Sequence, residues 1–255
     1  MDRFEGMGVL VTGGTSGIGA ECARHFAAEG ARVMISGRRE DAGRAVVAGI
    51  RARGGDAKFM RADVTRPDDI VRLVDETVSA CGRIDIAFNN AGIAGEAMKP
   101  LHEHALEGWE TVMAANLTSV FLCMKHEISA MLKTGGGVIV NNASAYGLKA
   151  STVGHTPYTV SKHGVVSLTR TAAVEYATAN IRVNAVCPGW THSEMVDPVL
   201  DAMPDQMNAI LKADVPMNRV ADTAEIARAV LWLASGESSY VTGHALCVDG
   251  GWVAR

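Results

Sequence analysis

Tyr158-Thr159-Val160-Ser161-Lys162 opens a stretch with helical spacing, and residues four apart on a helix share a face. A phenol and an ammonium aimed into one space form a proton-transfer pair. Free tyrosine titrates at about 10, too high for a base at neutral pH, and an adjacent cation stabilises the phenolate. Alone the pair is weak: with four tyrosines in 255 residues, the spacing arises by chance about one time in ten. Ser144 lies just beyond the apolar run 137–141, where open α/β sheets bind ligands, and its hydroxyl could polarise a substrate carbonyl. Without Tyr158 it would read as a turn former.

A second constellation is Thr12-Gly13-Gly14-Thr15-Ser16-Gly17-Ile18-Gly19, which joins the apolar run 9–12 to a helical pattern. Glycines in such a turn let backbone approach a pyrophosphate, and the helix N-terminus offers free N–H groups and the positive end of its dipole. The spacing is Gly-x-x-x-Gly-x-Gly rather than Gly-x-Gly-x-x-Gly, and no Gly-Lys-Ser/Thr follows to make a Walker loop. The next run ends Ile35-Ser36-Gly37-Arg38-Arg39, with Gly37 where an NAD site places its acid. A guanidinium at Arg38 can hold a 2′-phosphate through forked, charged contacts, so NADP(H) is the preferred cofactor, with NAD(H) as the other form the site could accept. Asn89-Asn90-Ala91-Gly92 follows the run 84–88 and reads as either a cleft lining or a turn.

Positioning these residues requires a sheet. Apolar runs at 9–12, 31–36, 57–61, 84–88, 137–141, 181–187 and 245–248 alternate with helical patterns at 17–29, 41–53, 67–81, 109–133, 158–176 and 223–234. The alternation predicts one α/β domain over residues 1–255, a doubly wound, Rossmann-type parallel sheet of about seven strands with helices on both faces. Residues 190–217 are too long for a simple connection. Interrupted by Pro198, Pro204 and Pro216, they are expected to form a lid with short helices of its own. Its Met, Val and Leu residues, with Asp197, Asp201 and Asp205 outward, predict an uncharged, moderately apolar substrate.

The composition removes several classes. A net charge of −4 and no basic stretch longer than Arg38-Arg39 argue against a nucleic-acid surface. No run of about 18 apolar residues could span a bilayer, and the start lacks the apolar core of a signal peptide. Five scattered cysteines without a Cys-x-x-Cys pair suit reduced thiols in the cytoplasm. His102-Glu103-His104 has the wrong spacing for one ion, so no metal is expected.

In order along the chain, TGGTSGIG at Thr12, Asp63-Val64, NNAG at Asn89, Asn116, Ser144, YTVSK at Tyr158, Pro188-Gly189 and Val248-Asp249-Gly250-Gly251 together resemble the short-chain dehydrogenase/reductase family over essentially the whole length. The resemblance implies interconversion of a ketone and a secondary alcohol. Tyr158 would be the general acid/base, and Lys162 would lower its pKa and bind the nicotinamide ribose. Ser144 would polarise the carbonyl, and Asn116 would keep a water in a proton relay. It also implies that Gly13, Thr15, Ser16, Gly17, Ile18, Gly19 and Arg38 hold the diphosphate end. Asp63 and Val64 would contact adenine, and Asn90, Ala91 and Gly92 the adenosine ribose. Pro188, Gly189, Thr191 and Ser193 would face the nicotinamide. Ser193 replaces a frequent threonine, and the gap from Ser144 to Tyr158 is one residue longer than the family's usual gap. Relatives of this length are usually homotetramers, and apolar Val112, Ala115, Val120, Phe121, Val165, Val166, Ala172 and Ala173 are candidates to be covered by another subunit. A non-catalytic regulator should have lost Tyr158, Lys162 or Ser144. An epimerase using the same pair should carry a larger C-terminal substrate domain.

Overall fold

The computed structural model describes residues 3–255. Among them the strands β1 (Gly8–Thr12), β2 (Arg32–Gly37), β3 (Asp56–Arg61), β4 (Ile86–Asn89), β5 (Gly137–Asn142), β6 (Ile181–Pro188) and β7 (Ala245–Val248) form one sheet in the order β3-β2-β1-β4-β5-β6-β7. Every pairing is parallel. The expected doubly wound sheet is therefore present.

β1 is buried along its whole length, as a central strand covered on both faces must be. Its side chains alternate: Val9 and Val11 join one core with Phe26, Ile35 and Leu231, while Leu10 joins the other with Leu73, Met131 and Ile139. The first core lies under α1 (Gly17–Ala28), α2 (Glu40–Arg51) and α9 (Thr223–Ala234). The second lies under α3 (Pro67–Cys81), α5 (Ser119–Lys133) and α6 (Thr156–Tyr176). Local signals set the helix ends. Pro67 opens α3 with Asp68 and Asp69 in its first turn, and Gly82 ends it at φ 84°; Asp222 and Glu225 close a capping box on α9.

The order reverses between β1 and β4, so their C-terminal ends part and leave a crevice, the usual ligand position in such sheets.

Two expectations change. The single helix predicted over 109–133 is α4 (Leu106–Met113), a π-helical turn (Ala114–Thr118) and then α5. Of the eight residues expected to meet another subunit, only Phe121 is exposed; the other seven are buried within the chain. The apolar residues left outside on α5 and α6 are Phe121, Leu132, Val160 and Val174. The 190–217 excursion does carry two short helices, α7 (Asp197–Ala202) and α8 (Pro204–Asp214), with Met207 and Leu211 turned inward. No described helix is long and apolar enough to cross a membrane.

Candidate active site

A cleft of about 750 Å³ runs along the C-terminal edge of β1, β2, β4, β5 and β6, within the size range of small-molecule sites. One end is built on the glycine turn. A Cβ on Gly13 would lie 2.8 Å from Ala91 Cα, and one on Gly14 would lie 2.5 Å from Ile35 Cγ2. The turn is thus packed down by small residues and presents backbone to the cleft. Asn90 braces it: its Nδ2 donates to Gly13 O (3.0 Å) and Thr12 O (3.2 Å), while Asn142 Nδ2 donates to Asn90 Oδ1 (2.9 Å). Thr15, Ser16, Gly17 and Ile18 line this end with Arg38, Asp63, Val64, Ala91 and Gly92. Burial pushes the Asp63 carboxyl up, but hydrogen bonds from Thr65 and the charge of Arg38 hold it below the ordinary carboxylate value. Gly19 lies outside the lining. A Cβ there would strike Asn90 Nδ2 and Gly13 O, so it is a close-packing glycine under the turn.

At the other end α6 presents Tyr158 and Lys162 on one face, as i,i+4 spacing requires. Lys162 Nζ lies 5.5 Å from the Tyr158 ring centroid and donates to Asn142 O at 2.7 Å. Ser144, which caps the turn after β5 by accepting from Tyr146 N (3.2 Å), lines the cleft with Tyr158. Burial pushes the phenol up to about 12, and the Ser144 hydroxyl pulls the other way. Burial likewise brings the Lys162 ammonium down to about 8. Pro188, Gly189, Thr191 and Ser193 line the same end from β6 onward.

The Asn116 side chain does not reach the cleft. It is fully buried, accepts from Ile93 N (2.8 Å) and donates to Ile93 O (2.9 Å) and Ser161 Oγ (3.2 Å), clamping the loop after β4 to the π turn. It still borders the reactive pair: a Cβ on Gly92 would lie 3.0 Å from Asn116 Oδ1 and 3.7 Å from Lys162 Nζ.

A family model described as Enoyl-(Acyl carrier protein) reductase matches residues 13–253. The A-factor type gamma-butyrolactone 1′-reductase (1S-forming) of Streptomyces virginiae is 45% identical over 95% of this chain and 94% of its own. The chain belongs to the short-chain dehydrogenase/reductase family. The 2,5-dichloro-2,5-cyclohexadiene-1,4-diol dehydrogenase of Sphingobium indicum strain UT26 is 41% identical over the full length of both chains. The crystal structure of levodione reductase superposes with a TM-score of 0.94 at 33% identity, covering 99% of this chain and 100% of that one. As a short-chain dehydrogenase/reductase, the protein is an oxidoreductase acting on CH–OH groups, of a family that uses NAD(P)(H). The packed glycine turn and the polar groups among the lining residues, such as Thr15, Ser16, Arg38 and Asn90, fit such a dinucleotide.

Three residues of this short-chain dehydrogenase/reductase take places that the sequence does not assign them, His155 among them, which reads from the sequence as a surface histidine beside the catalytic helix. Arg39 Nη2 donates to Ser16 Oγ (2.7 Å) and Thr15 Oγ1 (3.2 Å), and its Nη1 pairs with Glu194 Oε2 at 2.6 Å. The His155 ring stacks on Tyr158, centroids 4.7 Å apart, and its Nε2 meets Ala94 O at 2.7 Å. Tandem arginines and a histidine three residues before the tyrosine were visible signals. The partner of Arg39 was not, because 155 positions separate the two.

Proposed function

We propose that the protein interconverts a ketone and a secondary alcohol on an uncharged, cyclic skeleton, with NADP(H) preferred over NAD(H) and Tyr158 as proton donor and acceptor. The observation that carries the reading is the convergence of the Tyr158 phenol, the Ser144 hydroxyl and the Lys162 ammonium at one end of a cleft whose other end is the glycine turn. The rings named in the activities of the Streptomyces virginiae and Sphingobium indicum relatives support a cyclic substrate.

A bound nicotinamide supplies or accepts the hydride at the substrate carbon. In reduction, Ser144 holds the carbonyl oxygen and Tyr158 gives it a proton as the C–H bond forms; in oxidation the phenolate takes the hydroxyl proton back. Lys162, with its Nζ 5.5 Å from the ring centroid, places a positive charge beside that phenolate. A phenol raised to about 12 rests protonated at neutral pH, the form that reduction consumes.

Arg38, at the end of β2 in place of an acid, supports the 2′-phosphate reading. The chain is read as one oxidoreductase domain, 1–255, with 190–217 as a lid, since Ser193, Glu194, Met195 and Val196 line the cleft. The protein is read as a cytoplasmic homotetramer; exposed Phe121, Leu132, Val160 and Val174 support a subunit contact through α5 and α6. Incubation with NADPH or NADH across cyclic, aryl and linear ketones tests the reading. Turnover of cyclic ketones, faster with NADPH, is expected; no turnover of any carbonyl with either cofactor contradicts it.

A further inference from the structure

The glycine turn, the end of β2 and the first residues after Thr191 meet at one charged contact. The Arg39 guanidinium lies on Thr15 and Ser16 and pairs with Glu194. Ser16 and the Arg39 charge hold the Glu194 carboxyl below its ordinary value, and a Cβ on Gly17 would lie 3.4 Å from Ser193 Cβ, so the excursion closes onto the turn here. Thr15 is the residue a side chain at Gly37 would strike, at 2.6 Å from its Cγ2. Gly37 in turn ends β2, the position that reads the ribose 2′ group in this fold. Glu194 therefore delivers a carboxylate, through Arg39, to the corner where an NAD-selecting acid would stand, but from the opposite wall of the cleft.

Both side chains are more than half exposed, at 52% and 60%. Such a pair is weak and exchangeable, whereas a phosphate forms stronger forked bonds with a guanidinium. We infer that Glu194 is a specificity-determining residue whose carboxylate competes with a cofactor 2′-phosphate for Arg39 and so handicaps NADP(H) relative to NAD(H). The inference rests on the cleft taking a nicotinamide dinucleotide, not on which form the wild type prefers.

Calorimetric titration of the full chain with 2′,5′-ADP and with 5′-ADP tests it without requiring turnover. Glu194→Gln keeps size and hydrogen bonding but removes the charge. It should tighten 2′,5′-ADP about 2- to 5-fold and leave 5′-ADP unchanged. Arg39→Leu should weaken 2′,5′-ADP, and in that background Glu194→Gln should bring no gain. An unchanged 2′,5′-ADP affinity in Glu194→Gln, equal tightening of both nucleotides, or the same gain without Arg39 would overturn the inference. If neither nucleotide binds the wild type, the cofactor reading of the cleft falls with it.

Discussion

The imidazole of His155 lies flat on the ring of Tyr158, 11° from parallel and 4.7 Å between centroids, while its Nε2 is held by the Ala94 carbonyl at 2.7 Å. One turn of α6 thus fixes the plane of its own tyrosine by reaching across to the loop after β4. Burial lowers the His155 pKa, which keeps the ring neutral and its stacking independent of pH over the neutral range.

His155 is accordingly a positioning residue. Stacked rings contribute about 0.5–1.5 kcal/mol, so His155→Ala should lower kcat by roughly 2- to 10-fold with little change in cofactor affinity. His155→Phe, which keeps the stack and loses the Ala94 bond, should recover part of that. Steady-state kinetics paired with cofactor titration checks both. Equal kcat in wild type and His155→Ala would remove the assignment.

The buried pair at the reactive end predicts opposite pH profiles for the two directions. Reduction uses the protonated phenol and the Lys162 ammonium. With phenol near 12 and ammonium near 8, its rate should be level below about pH 8 and fall above it. Oxidation needs the phenolate beside the Lys162 ammonium, so its rate should rise with pH up to about 8 and level off above it. Initial rates from pH 6 to 10 in both directions measure this; parallel profiles would contradict the assignment of Tyr158 to proton transfer.

Much of this arrangement was legible in the sequence, for identifiable physical reasons. Inner strands such as β1, β4 and β6 are buried on both faces and so read as continuous apolar runs, and all seven runs match their strands within about two residues. The tyrosine and lysine share a helical face by spacing alone. The break in 109–133 was invisible because Ala114-Ala115-Asn116-Leu117-Thr118 contains neither proline nor glycine, and one widened turn hardly disturbs the apolar period. Composition could not say which way α5 and α6 turn their apolar residues. Val165 and Val166 look like Val160 and Val174, yet the first two are buried and the others exposed.

Cofactor preference can be redirected, but Gly37→Asp alone is not the clean change that the sequence suggests. Its Cβ would meet Thr15 Cγ2 at 2.6 Å, and a β-branched residue in the turn has little room to yield. Thr15→Ser removes that methyl. The pair Thr15→Ser/Gly37→Asp should shift the kcat/KM ratio towards NADH by roughly tenfold or more, with the single Gly37→Asp losing affinity for both cofactors. Arg38→Leu should add to the shift, since losing a charged hydrogen bond costs about 1.5–3 kcal/mol. An unchanged ratio in the triple variant would show that this corner does not read the 2′ group.

Glu127, fully buried on α5, accepts from Asn89 Nδ2 at 2.9 Å through one oxygen, while its other oxygen and Asn89 Oδ1 have no partner. Burial raises its carboxyl to about 7. A group raised on folding contributes stability that is complete below its unfolded pKa and lost as pH rises through the folded one. Glu127→Gln, which does not ionise, should therefore gain on wild type between about pH 4.5 and 7, by up to about 3 kcal/mol. Thermal unfolding of both proteins at pH 5 and pH 8 checks the sign; a constant difference in Tm would refute it.

The most direct test of the central claim is Tyr158→Phe, read as kcat for ketone reduction beside NADPH affinity in the same preparation. The substitution removes the transferable proton and leaves the ring that stacks on His155. A positioned acid is worth roughly 10²- to 10⁴-fold, so kcat should fall by at least that much while NADPH binds within a few-fold of wild type. A variant that keeps a large share of kcat would show that the proton comes from elsewhere.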